Sequence, residues 1–169
     1  MNSTSTNRTK TGGRADQRTL PKGPGGRTLC RWCRSETPKG RRTFCSDACV
    51  HEWRLRTDPG YLREQVFRRD RGICAVCGLD TERLRKDKRK LDYAARRKFE
   101  KEWEVAGQLR RSLWDADHIL PVCEGGGECD LSNIRTLCLK CHRQATAALR
   151  QRRREARSPA PQTPQDSAR

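Results

Sequence analysis

The chain has 169 residues, 33% of them hydrophobic and 35% charged, with ten cysteines and a formal net charge of +17. An ordinary globular domain carries roughly 45–50% apolar residues, so a core this thin calls for a further staple, and small domains commonly use structural metal. No apolar run approaches the ~20 residues of a membrane span, and no apolar segment follows the basic start, which argues against a secretory signal and a membrane partner.

The protein is therefore expected inside the cell, cytoplasmic if bacterial or phage-encoded and nuclear if eukaryotic. Thiols stay reduced there, so paired cysteines point to metal rather than disulfides. The positive excess attracts polyanions, with DNA the first candidate and RNA not excluded. Two four-cysteine zinc sites would each lower the charge by two and leave +13.

Residues 1–29 are rich in Ser, Thr, Gly and Arg without apolar periodicity and read as a disordered basic tail. Residues 30–57 hold the first cysteine module. Cys30-x-x-Cys33 and Cys45-x-x-x-Cys49 are separated by eleven residues. Zinc takes four ligands in a closed tetrahedron, and a turn that holds two cysteines close in sequence supplies one edge of it. Pro38-Lys39-Gly40 suits the turn of a small hairpin between the pairs. Phe44 to Cys49 (FCSDAC) is similar to a short FCS-type zinc finger, expected to prop up the next domain rather than to touch nucleic acid. His51 is a conceivable substitute ligand, but Cys49 fits better and His51 reads as a surface or packing residue.

Residues 60–72 suggest a short helix with Leu62, Val66 and Phe67 on its apolar side. Arg63, Arg68, Arg69 and Arg71 face either phosphate or solvent. Cys74-x-x-Cys77-Gly78 is half of a zinc knuckle whose other half is Cys138-x-x-Cys141. The sixty residues between them far exceed the ~15–20 of a simple two-knuckle ribbon, as expected if other elements are inserted between the halves. One such insert spans 80–113. Asp80 or Thr81 can cap its start. Leu84, Leu91, Ala95, Phe99, Trp103, Ala106 and Leu113 form one stripe of an amphipathic helix, which Gly107 breaks or ends. Residues 143–157 continue as an Arg-rich helix from the second knuckle, and 158–169 read as a disordered tail.

The most informative stretch runs from Trp114 to His142 (WDADHILPVCEGGGECDLSNIRTLCLKCH). Asp117-His118 closes a strand-like run, Gly125–Gly127 allow a turn, and Asn133 precedes a second strand-like run, Ile134 to Cys138. His142 follows Cys141 directly. Neighbouring residues on a regular strand face opposite ways, so Asp117 and His118 can share one site only if the strand ends or bends there. Pro121, just beyond, agrees with that. Cys123 and Cys129 lack a knuckle partner and read as non-ligands, Cys129 as a buried one.

This set of Asp117-His118, glycine turn, Asn133 and Cys-x-x-Cys-His142 resembles the HNH endonuclease family. The order of finger, YLREQVF, Cys-x-x-Cys, insert, DHI-x-P and Cys-x-x-Cys-His over Phe44 to Arg150 resembles the carboxyl-terminal nuclease module of a eukaryotic fork-acting annealing helicase. The resemblance implies an α+β fold: a small zinc-stabilised ββα-metal domain over 60–157 with a helical insert at 80–113, preceded by the zinc finger. It implies His118 as general base, Asp117 and His142 as ligands of one catalytic divalent ion (Mg²⁺ or another), and Asn133 as acceptor from the far ring nitrogen of His118. Cys74, Cys77, Cys138 and Cys141 would hold one structural zinc and Cys30, Cys33, Cys45 and Cys49 another. The chemistry suits these residues. Phosphodiester hydrolysis needs charge stabilisation, which a metal supplies, and a base such as neutral imidazole, with its reference pKa near ~6.5. The rival expectations are a zinc-dependent nucleic-acid-binding module without catalysis and an interaction protein with incidental basic tails.

Overall fold

The structure is a computed structural model and describes residues 15–105, 112–127 and 130–157. By contacts these residues form two compact units. One comprises residues up to Arg69 together with His118–Ile134, and the other comprises Asp70–Asp117 together with the residues from Arg135 onward.

In the first unit, residues 22–36 are laced by two short antiparallel bridges, Lys22 with Thr28 and Leu29 with Glu36. Two turns punctuate this lacing. Gly26 N–H donates to Gly23 O with Gly26 at φ 74°, and Arg41 N–H donates to Pro38 O with Gly40 at φ 88°. The left-handed φ at Gly40 fits the Pro38-Lys39-Gly40 turn expected from sequence. Ser46 caps α1 (Asp47–Thr57) by accepting from Cys49 N–H, so the last cysteine pair straddles a helix start. The Asp58 carboxylate accepts from Tyr61 N–H at 3.0 Å and opens α2 (Pro59–Asp70). Pro59 suits the first helical position because its missing N–H would have no partner there. The Tyr61 amide and then Arg54 hold the Asp58 carboxyl below its usual range. His51 Nδ1 lies 2.8 Å from Tyr61 Oη, and the two rings meet edge to face. It is a packing histidine, as expected.

Arg69 fastens the later segment of this unit. Its guanidinium donates to the carbonyls of Leu131 and Ile134, each at 2.6 Å.

The second unit begins with a knuckle. Cys74 N–H donates to Leu79 O and Gly78 N–H to Cys74 O, with Gly78 at φ 70°. Asp80 caps α3 (Thr81–Lys88), accepting from the amides of Glu82 and Arg83. Asp92 then caps α4 (Tyr93–Glu102), accepting from Ala95 N–H. The single helix expected over 80–113 is thereby corrected to two. A short acidic side chain that bonds a following amide favours a new helix start over a helix interior. The chain leaves α4 through Glu104 at φ 51°. Gly107 and Ala106 lie outside the described residues.

The apolar stripe still packs inward. Trp103 and Leu113 are buried with Val105, Leu137, Leu139 and three cysteines, and Leu84 and Phe99 flank them. Strands β1 (Trp114–His118) and β2 (Ile134–Cys138) pair into a two-stranded sheet, each lending one end residue to the first unit. Thr136, at the centre of β2, accepts from Ala75 N–H through its carbonyl and donates its amide and hydroxyl to Asp70. The first knuckle is thus pinned to the strand that leads into the second. Cys138 ends β2 and caps α5 (Leu139–Glu155). The result is a mixed helix-and-strand domain, and among the described residues no helix is long and apolar enough to cross a membrane.

Trp103 stacks on Phe99 at 5.6 Å and is 6% exposed. Trp103→Ala is expected to destabilise the chain by about 3–5 kcal/mol, read as a lower urea midpoint by circular dichroism.

Candidate metal centres and nuclease site

Two sets of four cysteines converge, Cys30/Cys33/Cys45/Cys49 and Cys74/Cys77/Cys138/Cys141, with the sulfurs of each set within 4.8 Å of one another. The S···S separations are 3.4 Å for Cys33–Cys45, 3.3 Å for Cys45–Cys49 and 3.8 Å for Cys77–Cys138. A tetrahedron with Zn–S near 2.3 Å has edges of about 3.8 Å, so both sets fit a zinc ion after small adjustments.

Their protonation is uneven. The Ser35 hydroxyl and amide, then the Cys45 thiol, bring Cys33 down to about 6. Sharing protons with Cys49 and Cys33 pushes Cys45 up to about 12. Burial opposes ionisation of Cys74, but the amides of Cys138, Cys77 and Val76 outweigh it and bring it to about 6. Burial and then the neighbouring thiols push Cys141 up. Four thiolates repel one another without a cation between them, and a bound divalent ion removes that cost.

The second set leads directly to the other candidate centre. Cys138 Sγ accepts from Cys141 N–H at 3.5 Å, and one residue later His142 projects from the first turn of α5. Asp115 and Asp117 alternate along β1 and so share a face. His142 Nδ1 stands 3.4 Å from Asp115 Oδ2, and His142 Nε2 stands 3.7 Å from Asp117 Oδ1. The other oxygen of Asp117 accepts from Arg135 Nε and Nη2 at 3.4 and 3.3 Å.

Asp117 and His142 are therefore brought together, as expected. Asp115 and Arg135 were missed, although the Asp-x-Asp alternation signalled the first. Bonds of about 2.1 Å to a cation from each donor can span the 3.7 Å between Nε2 and Oδ1, so the pair fits one divalent ion with two protein ligands. Among the described residues, only the cysteine sets bring three or more donors together.

In the first unit, His118 closes β1 and the chain bends at Ile119 and Leu120, the strand end that the Asp-His pair requires. Asn133 binds the backbone of the segment that follows β1. Its carboxamide accepts from Leu120 N–H at 2.8 Å and donates to the carbonyls of Leu120 and Gly127 at 2.9 and 3.4 Å. A side-chain amide carries a donor and an acceptor together, so it can satisfy both backbone groups of a residue that has left its strand. Ile119 N–H to Asn133 O at 2.8 Å completes the staple. Gly126 is packed against it, since a Cβ there would come within 1.9 Å of Leu120 O. Asp130 opens the 3-10 turn Leu131–Asn133 by accepting from the Ser132 amide and hydroxyl, which hold its carboxyl below the usual range. Cys123 is exposed and outside both sulfur sets. Cys129 lies outside the described residues.

Residues 97–148, from α4 through both strands into α5, match the HNH endonuclease family model. The chain carries a domain of the HNH endonuclease family. Among curated proteins it is similar to the DNA annealing helicase and endonuclease ZRANB3 of Mus musculus (34% identical over 153 residues, 78% of this chain) and of Homo sapiens (32% over 153 residues). The chain spans only 14% of the length of each. Among solved structures, the crystal structure of the human ZRANB3 HNH domain aligns with a TM-score of 0.47 at 31% identity, over 60% of this chain and 97% of that one.

Metal analysis of the purified chain is expected to find two zinc ions, falling to one in Cys45→Ser, while Cys138→Ser loses its zinc and unfolds the second unit. A normally folded Cys138→Ser protein would contradict the role of this set as a clip. Asn133→Ala is expected to speed amide hydrogen exchange at Leu120 while leaving Ala75 protected.

Proposed function

We propose that the chain is a metal-dependent HNH endonuclease that hydrolyses DNA phosphodiester bonds, with zinc in both cysteine sets as structural ions. The observation that carries this is the facing of His142 Nε2 and Asp117 Oδ1 across 3.7 Å beside a cysteine set. Each of those donors is held from its far side. Asp115 lies against Nδ1 of His142, and Arg135 holds the second oxygen of Asp117. A carboxylate behind a ligating imidazole fixes its ring orientation and tautomer.

Asp117 and His142 would hold a divalent cation, Mg²⁺ or another, and it would supply charge stabilisation at the phosphate oxygens and the leaving group. Two protein ligands leave coordination positions for phosphate and water. His118, next in the chain after Asp117, takes the proton from the attacking water. Asn133 holds the loop that follows His118. By family resemblance the products carry 5′-phosphate and 3′-hydroxyl ends. DNA is gripped mainly through its backbone, so affinity falls steeply with salt. Helicase activity is not carried over, because the alignment spans 14% of the relatives.

A binding module without catalysis draws support from Arg135, whose guanidinium occupies one oxygen of Asp117. That reading requires His118→Ala to leave every activity intact.

Cleavage of supercoiled plasmid separates the two. Nicked or linear product is expected with Mg²⁺ or Mn²⁺ and not with excess chelator, and His118→Ala should cut roughly 10²–10⁴-fold more slowly while remaining folded and zinc-loaded. Titration calorimetry with Mn²⁺ should show tight uptake by His118→Ala and greatly weakened uptake by Asp117→Ala and His142→Ala. If folded wild type cuts neither plasmid nor branched DNA, the nuclease reading fails.

A further inference from the structure

The amino-terminal finger carries a feature that neither zinc nor the nuclease site explains. Its two glycine turns, 23–26 and 38–41, border a cleft of about 360 Å³. Five cations line it from separate stretches of chain: Arg18, Lys22, Arg27, Lys39 and Arg41. No carboxylate is among the lining residues. Its wall is fixed rather than loose. Thr28 and Thr37 are both buried, their hydroxyls are 3.0 Å apart, and Thr28 Oγ1 donates to Arg42 O at 2.6 Å. Gly26 and Gly40 both have open space where a Cβ would stand, so backbone there is open to close approach.

Three acids stand near the cleft, Asp16, Glu36 and Asp47, against its five cations, so an excess of positive charge remains. Glu36 is engaged with the first turn, accepting from Gly25 N–H at 2.6 Å. Asp47 pairs with Arg41 at 2.8 Å with its side chain 92% exposed, and an exposed pair of that kind contributes only about 0–1 kcal/mol and exchanges readily for another anion. Scattered surface cations minimise their repulsion by spreading apart, whereas these converge on one concavity, where the field is focused. An anion with several charged oxygens at regular spacing fits that arrangement.

We propose that this cleft binds the phosphodiester backbone of nucleic acid, so that the finger is a second DNA-gripping site and not only a support. The proposal concerns binding alone and stands or falls apart from the assignment of His118.

The test uses the full zinc-loaded chain and a fluorescein-labelled DNA duplex, followed by anisotropy across a salt series. Arg27→Glu/Lys39→Glu is expected to weaken binding at least tenfold at ~0.1 M salt and to flatten the log–log salt dependence by roughly two, since each phosphate contact contributes about 0.9. The control reverses two exposed cations of α4, Lys98→Glu/Lys101→Glu, and should weaken binding clearly less. Zinc content and circular dichroism confirm that both variants fold. Arg27→Gln/Lys39→Gln replaces the charge reversal if that variant does not fold. Equal losses in the cleft and control variants, or no loss in the cleft variant, would overturn the proposal. So would a cleft variant that loses calorimetric binding of inorganic phosphate while keeping full DNA affinity, which would mark a site for free anions.

Discussion

The set Cys74, Cys77, Cys138 and Cys141 is the constraint on which the second unit depends. It joins stretches of chain sixty residues apart, and three of its four members are buried among the apolar side chains of the core. Closing a long loop costs entropy that a few apolar contacts do not readily offset. With so few hydrophobic residues, a metal held by these four sulfurs would be an economical way to close it, because metal-binding free energy becomes folding free energy when no preformed site exists in the unfolded chain. Trp103, Leu113 and Leu137 pack with three of these cysteines in one cluster rather than forming a core alone.

The same set places the candidate chemistry. Cys138 is at once the last residue of β2, the cap of α5 and a sulfur donor. His142 lies one residue beyond Cys141, so the phase of α5 relative to the sulfurs decides where its imidazole points. Across from it, the alternation of β1 presents Asp115 and Asp117 on one face. Damage to the clip would therefore displace His142 even with every residue of the candidate site intact. Loss of activity in a cysteine variant is not evidence that the cysteine takes part in the reaction.

Charge is distributed with a similar economy. Many basic side chains are spent on local pairs such as Arg54–Asp58, Arg56–Glu52 and Arg68–Glu64, each one helical turn apart, and pairs of this kind contribute only a few tenths of a kcal/mol each. Arg31 lies over the Trp53 ring at 4.2 Å, and Arg56 lies over the Trp32 ring at 4.4 Å besides its pair with Glu52. Five cations converge on the cleft near the amino terminus, whose lining holds no carboxylate, although Arg41 also pairs with Asp47. Net charge is legible in composition, but the place where it is left uncompensated is not.

The sequence by itself determined which cysteines come together, because the pairing of sulfurs that a tetrahedral metal site would need is written in local spacing. It also pointed to a helix cap at Asp80 or Thr81 and to the need for β1 to stop at His118, and the family resemblance paired Asp117 with His142. What only the tertiary structure decided depended on contacts between distant residues. An apolar stripe at helical spacing reads the same whether one helix or two carry it, so the break at Asp92 turned on whether that carboxylate caps or merely faces solvent. Asn133 carries both a donor and an acceptor, and the bend after β1 brings both backbone groups of Leu120 to it. Asp115 and Arg135 gained their places when β1, β2 and α5 were set side by side. The five cations of the finger are ordinary surface residues in the chain and become a cleft only when two glycine turns fold towards each other.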